Sequence, residues 1–221
     1  AEQHLAKVRA DISGLARQVW KQQQQQAAEA YKAKAAAASV NAPSGIITLV
    51  FCDVQDSQGL WEELPDCMTL AQSTVNKVIR DRISRNGGYE VKSDGESFMI
   101  SFGSARSAVS FCSDVQEALV QAEWPARLLQ HPSAADVTMP DGSPVFRGLR
   151  VRMGLHTGTP QTTVNPSTGK VDSQGPMVNK AARIESLARG GTILTSEDSG
   201  RSYKDKGDQR RQAARLLGTG R

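Results

Sequence analysis

Asp53 follows directly on the run 46–52, a continuous apolar, β-rich stretch of the kind that forms a strand buried on both faces. A carboxylate at the end of such a strand is costly unless a cation is present, so the position reads either as a cation site or as a turn and cap residue. Asn179 and Arg183 are four residues apart and project from one face of a helix. A guanidinium's fixed fork of donors suits phosphate oxygens there. The bland alternative is an exposed helical Asn and Arg, but Ala181, Ala182 and Ile184 place the rest of this helix against a core. Lys92 and Asp172, by residue type alone, read as two surface charges on loops. Glu96 is a cation-capable carboxylate or a solvent-facing strand residue. His156, inside an apolar strand, reads as a residue satisfied by packing rather than as a catalytic base.

Several elements must position these residues. The run 46–52 is the first strand. Ala71, Val75, Ile79 and Ile83 mark one face of a helix that ends at Gly87-Gly88, where glycine can take the left-handed cap. Segments 89–92 and 97–102 are short strands flanking a hairpin turn at Ser93-Asp94-Gly95-Glu96. A second amphipathic helix carries Ala105, Ala108, Val109, Cys112, Val115 and Leu119 on one side. Segment 123–147, with four prolines and Asp141-Gly142, reads as a long excursion. A strand at 149–156, a loop, a helix over about 175–188 and a strand at 192–195 complete the order. That alternation fits a sheet with helices on one face.

Upstream, Leu5, Val8, Ile12, Leu15 and Val19 alternate three and four apart, a short coiled-coil seam. It gives way to Gln22–Gln26 and an Ala/Lys-rich tract, and Asn41-Ala42-Pro43-Ser44-Gly45 breaks the helix. The expected division is a helical arm and linker over 1–44 and one domain over 45–221. The net charge of +4 is small and scattered, compatible with an anionic substrate without requiring nucleic acid. No apolar run approaches the ~20 residues that span a bilayer. Cys52, Cys67 and Cys112 sit singly in apolar surroundings with no zinc spacing, as small buried hydrophobes in a reducing compartment. The expected location is cytoplasmic, within a larger or membrane-attached protein or assembly.

Four stretches carry a family likeness in the right order. Leu49-Val50-Phe51-Cys52-Asp53-Val54-Gln55-Asp56-Ser57 resembles the opening strand and phosphate loop of class III nucleotidyl cyclases. The stretches 89–99 and 150–158 resemble their second motif and fourth strand. Asp172 to Arg183, with Asn179-Lys180-Ala181-Ala182-Arg183, resembles the motif that completes the site. The likeness covers roughly 46–200 and is nearest to adenylate cyclases of fungi and trypanosomatids, including Leu60-Trp61-Glu62 and Trp124-Pro125.

The resemblance implies an α+β fold of ferredoxin-like βαββαβ type, with helices on a mostly antiparallel sheet. It implies attack of the ribose 3′-hydroxyl on the α-phosphorus of ATP, with two Mg²⁺ or Mn²⁺ ions held by Asp53 and Glu96. Glu96 stands where the family has Asp, one methylene longer at a position where Mg²⁺ geometry is strict. Val54 and Ser57 belong to the phosphate loop. Lys92 and Asp172 occupy the adenine-reading positions, which in guanylate-specific members are Glu and Cys or similar. Asn179 is assigned to the ribose and Arg183 to the transition-state phosphates.

Metal-side and Asn/Arg-side motifs of one site come from opposite subunits in this family, so a homodimer or a heterodimer of cyclase domains is expected. The heptad seam would pair with another helix. The family's phosphate-binding Lys follows a Leu-Gly turn, and the chain reaches Leu217-Gly218 near its last residue. Two functions follow: an adenylate cyclase, or a catalytically weakened cyclase-homology domain with a structural, nucleotide-binding or regulatory role. Glu96, the unmatched Lys and the Gln/Ala-rich helical arm favour the second; Asp53, Lys92, Asp172, Asn179 and Arg183 favour the first.

Overall fold

A computed structural model describes residues 42–165 and 169–204. The heptad seam, the glutamine run and the Leu217-Gly218 turn lie outside these residues. The described residues separate into two compact units, 42–163 with 172–204 and a small one of 164, 165 and 169–171. In the smaller unit, the Asn165 carbonyl accepts from the Gly169 N–H at 2.8 Å, and the Asn165 N–H donates to the Lys170 carbonyl at 2.8 Å.

The larger unit is built on a five-stranded sheet of order β2-β3-β1-β6-β9. Its strands are β1 (Ile47–Val54), β2 (Tyr89–Asp94), β3 (Ser97–Phe102), β6 (Val151–Gly158) and β9 (Ile193–Thr195). All neighbours are antiparallel except β6 and β9. The helices are α1 (Ser57–Glu63), α2 (Pro65–Arg85), α3 (Ala105–Gln121) and α4 (Pro176–Ser186), and a further helical segment occupies 197–204. The architecture is the expected α+β arrangement.

β1 sits centrally and is buried on both faces, as its unbroken apolar run requires. Its Val50, Cys52 and Val54 join the larger core with Ala71, Val75 and Ile79 of α2 and Phe111, Cys112 and Val115 of α3. Its Ile47 and Leu49 join a second core with Val91, Met99, Met177 and Ala181. Helices therefore cover both faces of the sheet, not one: the α4 stripe was visible in the sequence, but nothing local says which face it covers. All three cysteines are buried and free, as their apolar surroundings predicted.

α2 starts earlier than its apolar stripe, with Pro65 at a first-turn position where its missing N–H costs nothing. It stops where Gly87 takes φ +64° and the Gly88 N–H reaches back to the Ile83 carbonyl at 2.9 Å. The short helix α1 was not anticipated, because seven residues carry too little periodicity to read. The excursion is structured as well. A 3-10 turn at Leu128–Gln130 and a ribbon of β4 (Val137–Thr138) with β5 (Pro144–Phe146) fill it, and Trp124, Leu128 and Ala134 tie it to the larger core. β7 (Gln161–Val164) and β8 (Val171–Gln174) form a second two-stranded ribbon.

Candidate active site

The register of the sheet brings one cluster together at the C-terminal end of β1. Asp53 pairs with Arg152 across β1 and β6. Period-two alternation puts both on the face that α4 covers, with Ile47 and Leu49 rather than with Val50 and Cys52. Asp53 Oδ1 accepts from Ser97 Oγ at 2.8 Å, and Oδ2 accepts from the Arg152 guanidinium at 2.5 Å. Arg152 Nε lies 2.6 Å from Glu185 Oε1 of α4, a charge contact without hydrogen-bond alignment. Burial pushes the Glu185 carboxyl above its usual range and the Asp53 charge adds to this, against the pull of Arg152. Burial also opposes the Arg152 charge, but the two carboxylates outweigh it and raise the pKa of the guanidinium.

Val54 is buried, and its backbone carries the chain from β1 into the loop that starts α1. Asp56 takes a left-handed φ of +58° there, and Ser57 opens the helix. The loop is anchored by the Gln55 N–H to the Arg150 carbonyl at 2.9 Å and by the Gly190 N–H to Gln55 Oε1. Ser133 Oγ donates to Asp56 Oδ2 at 2.6 Å, which fastens the excursion to the same loop.

Lys92 and Asp172, 80 residues apart, form an ion pair with Nζ 3.2 Å from Oδ1 and 3.3 Å from Oδ2. The Ser173 N–H also donates to Asp172 Oδ1 at 2.8 Å. Two residues with no local relation are thus presented as one donor and acceptor unit.

Asn179 and Arg183 are placed differently. On α4 the buried positions are Met177, Ala181 and Glu185. Residues two positions on are rotated by about 200°, so Asn179 and Arg183 point away from the sheet that carries Asp53. Both are exposed, and Arg183 makes no ion pair with a described residue. One chain does not bring them to its own Asp53.

Glu96 lies in the turn between β2 and β3, beside Ser97. Its Oε1 accepts from the Trp61 indole N–H of α1, and Oε2 has no partner among the described residues. Asp94, the other acid of the turn, is exposed. The donor set suits a hard divalent cation: a carboxylate oxygen has two lone pairs, so Asp53 keeps accepting capacity on both oxygens and Glu96 keeps Oε2 whole. Among the described residues no group of three or more His, Cys, Asp or Glu could hold a metal ion. Asp53 and Glu96 are the two carboxylates that the family likeness assigns to such a cation.

The sequence did not mark Ser97, Arg152 or Glu185. The signal for Arg152 was a charge inside an otherwise apolar strand; its partners come from segments 99 and 33 residues away along the chain. His156 behaves as its apolar strand suggested. Nδ1 lies 2.8 Å from Ser196 Oγ, and burial lowers the ring's pKa.

The mostly antiparallel sheet with an acidic strand end, the Lys92–Asp172 ion pair and the outward Asn/Arg face of α4 agree with the nucleotidyl cyclase likeness of the sequence. Residues 40–216 match the model of the adenylate and guanylate cyclase catalytic domain, and the chain belongs to that family. It is 43% identical over 161 residues to an adenylate cyclase of Podospora anserina, covering 73% of this chain and 8% of that protein. It is 42% identical over 161 residues to the Neurospora crassa adenylate cyclase, covering 73% of this chain and 7% of that protein. The chain thus spans less than a tenth of these relatives. A monomeric adenylate cyclase structure from Trypanosoma brucei superposes with TM-score 0.69 at 30% identity, covering 76% of this chain and 80% of that one.

Proposed function

We propose that this chain is the catalytic domain of an adenylate cyclase, forming 3′,5′-cyclic AMP and pyrophosphate from ATP at sites shared between two copies. The observation that carries this reading is the Lys92–Asp172 pair, an ammonium donor and a carboxylate acceptor held side by side at 3.2 Å. Adenine offers a ring-nitrogen acceptor beside an amino donor, which this pair can satisfy. Guanine reverses the pattern and would leave both protein groups facing like partners.

Asp53 and Glu96 would hold Mg²⁺ or Mn²⁺, which supplies Lewis-acid neutralisation of the triphosphate and acidifies the ribose hydroxyl. Ser97 and Arg152 keep the Asp53 carboxylate fixed in place. The loop through Val54 to Ser57 lies next to this carboxylate and would receive the phosphates. Asn179 orients the ribose, and Arg183 places its fork of donors where charge develops on the phosphates. Because both point away from their own Asp53, they serve the site of the facing copy, as the family resemblance implies. The same dimer then holds two equivalent sites.

The test is direct: incubate the protein with ATP and Mn²⁺, measure cyclic AMP, and compare Arg183→Ala. Wild type should exceed the variant by about a hundredfold or more. Equal product from the two would overturn the enzyme reading. It would favour a cyclase-homology domain kept for assembly or regulation, the reading that the Asp-to-Glu change at position 96 supports.

A further inference from the structure

Position 96 has one methylene more than the family's Asp, and the backbone around it has little freedom to compensate. Asp94 and Ser97 are paired across the β2–β3 hairpin. Gln72 of α2 is nearly buried, and its Nε2 donates to the Gly95 carbonyl at 3.3 Å and to Asn76 Oδ1 at 2.9 Å. The turn is therefore held from the strand side and from the helix side. The extra length must be taken up by the side chain itself.

Trp61 meets that side chain. Its ring packs against the larger core, next to the fully buried Leu60, and its indole N–H donates to Glu96 Oε1. An indole nitrogen only donates, so it fixes one oxygen of the carboxylate and leaves the other with full accepting capacity. From these contacts we infer that Trp61 is a positioning residue for Glu96: it holds the longer carboxylate in a one-oxygen pose, with Oε2 presented to the divalent cation. A flexible glutamate would instead sample many rotamers and close on a cation with both oxygens, a mode poorly matched to Mg²⁺. Partners that orient a ligating carboxylate are worth roughly 10- to 100-fold in metal affinity. This inference rests on the cyclase reading only in taking Glu96 as a cation ligand.

The experiment reads the cation without turnover. Mn²⁺ binding to the nucleotide-free protein is measured by electron paramagnetic resonance for wild type, Trp61→Phe, Glu96→Asp and the double variant. The chain has three tryptophans, so the ¹⁵N-indole resonance of Trp61 is identified by its loss in Trp61→Phe and followed during Mg²⁺ titration. Trp61→Phe keeps an aromatic ring but removes the N–H donor, and should weaken Mn²⁺ binding roughly tenfold. In the Glu96→Asp background it should have no further effect, since the shorter acid withdraws from the indole. The Trp61 resonance should move with Mg²⁺ in wild type and stay still in Glu96→Asp. A merely structural hydrogen bond would move neither quantity. If the cation binds while the resonance stays still, or Trp61→Phe binds it equally well, the role of Trp61 is overturned and the cyclase reading stands. If wild type binds no cation at millimolar concentration, the role of Trp61 falls, while the cyclase reading is decided by its own cyclic AMP assay.

Discussion

Lys92 and Asp172 orient one another. Lys92 is more than half exposed and Asp172 about one-fifth exposed, so their pairing contributes little to stability by itself. Its value is orientation: the ammonium is aimed by the carboxylate, and the carboxylate by the Ser173 N–H. Asp172→Ala should therefore lower kcat/KM for ATP by about two orders of magnitude and reduce that for GTP much less. Competition between ATP and GTP, read as the ratio of cyclic products, checks this. Arg152 illustrates the same point among charges. It stands between two carboxylates from different elements and lets both remain close to one strand end.

At the scale of elements, α4 lies unusually close to the sheet. A Cβ at Gly154 would meet the Glu185 backbone nitrogen at 2.2 Å and its Cα at 2.4 Å. Backbone cannot yield as a side-chain tip can, so Gly154→Ala should push the C-terminal half of α4 outward and cost about 1–3 kcal/mol. For a domain of this size that is a fall of roughly 2–10 °C in Tm, measurable by calorimetry. The displaced half carries Glu185 and Arg183, so cyclase activity should fall further than the loss of stability explains. A second element-scale effect lies where β6 meets the segment 197–204. His156 is buried beside Ser196, and burial together with the Lys180 charge lowers its pKa from the ordinary 6.5, while Asp198 pulls the other way. The unfolded chain thus binds a proton here that the folded one refuses. This stability is complete above pH 6.5 and is lost as pH falls below it. Thermal unfolding across pH 5–8 should show that slope in wild type and a flatter one in His156→Gln.

For the whole molecule, the outward placement of Asn179 and Arg183 makes a single copy incomplete for the proposed reaction. Asp53→Ala and Arg183→Ala should each abolish activity as homodimers. Mixed in equal amounts and allowed to exchange, half the dimers are hybrids, and each hybrid holds one site with both residues intact. Activity should return to about a quarter of wild type. An unrestored mixture whose subunits demonstrably exchange would show that the site does not span two copies. Among the described residues no helix is long and apolar enough to cross a membrane.

The linear chain determined a good deal. The apolar run before Asp53 made β1 a central strand, the stripes of α2 and α3 fixed their buried faces, and four ordered motifs carried the family. These are local patterns, set by period and by neighbours in sequence, and they survive folding unchanged. Which face α4 covers, and therefore that Asn179 and Arg183 point outward, was decided only by tertiary packing. So were the Asp53–Arg152–Glu185 cluster and the Lys92–Asp172 pair, because strand register and helix docking join residues that no sequence period relates. Glu96 belongs to both: its extra methylene is plain in the sequence, and its restraint by Trp61 exists only because α1 packs beside the β2–β3 turn.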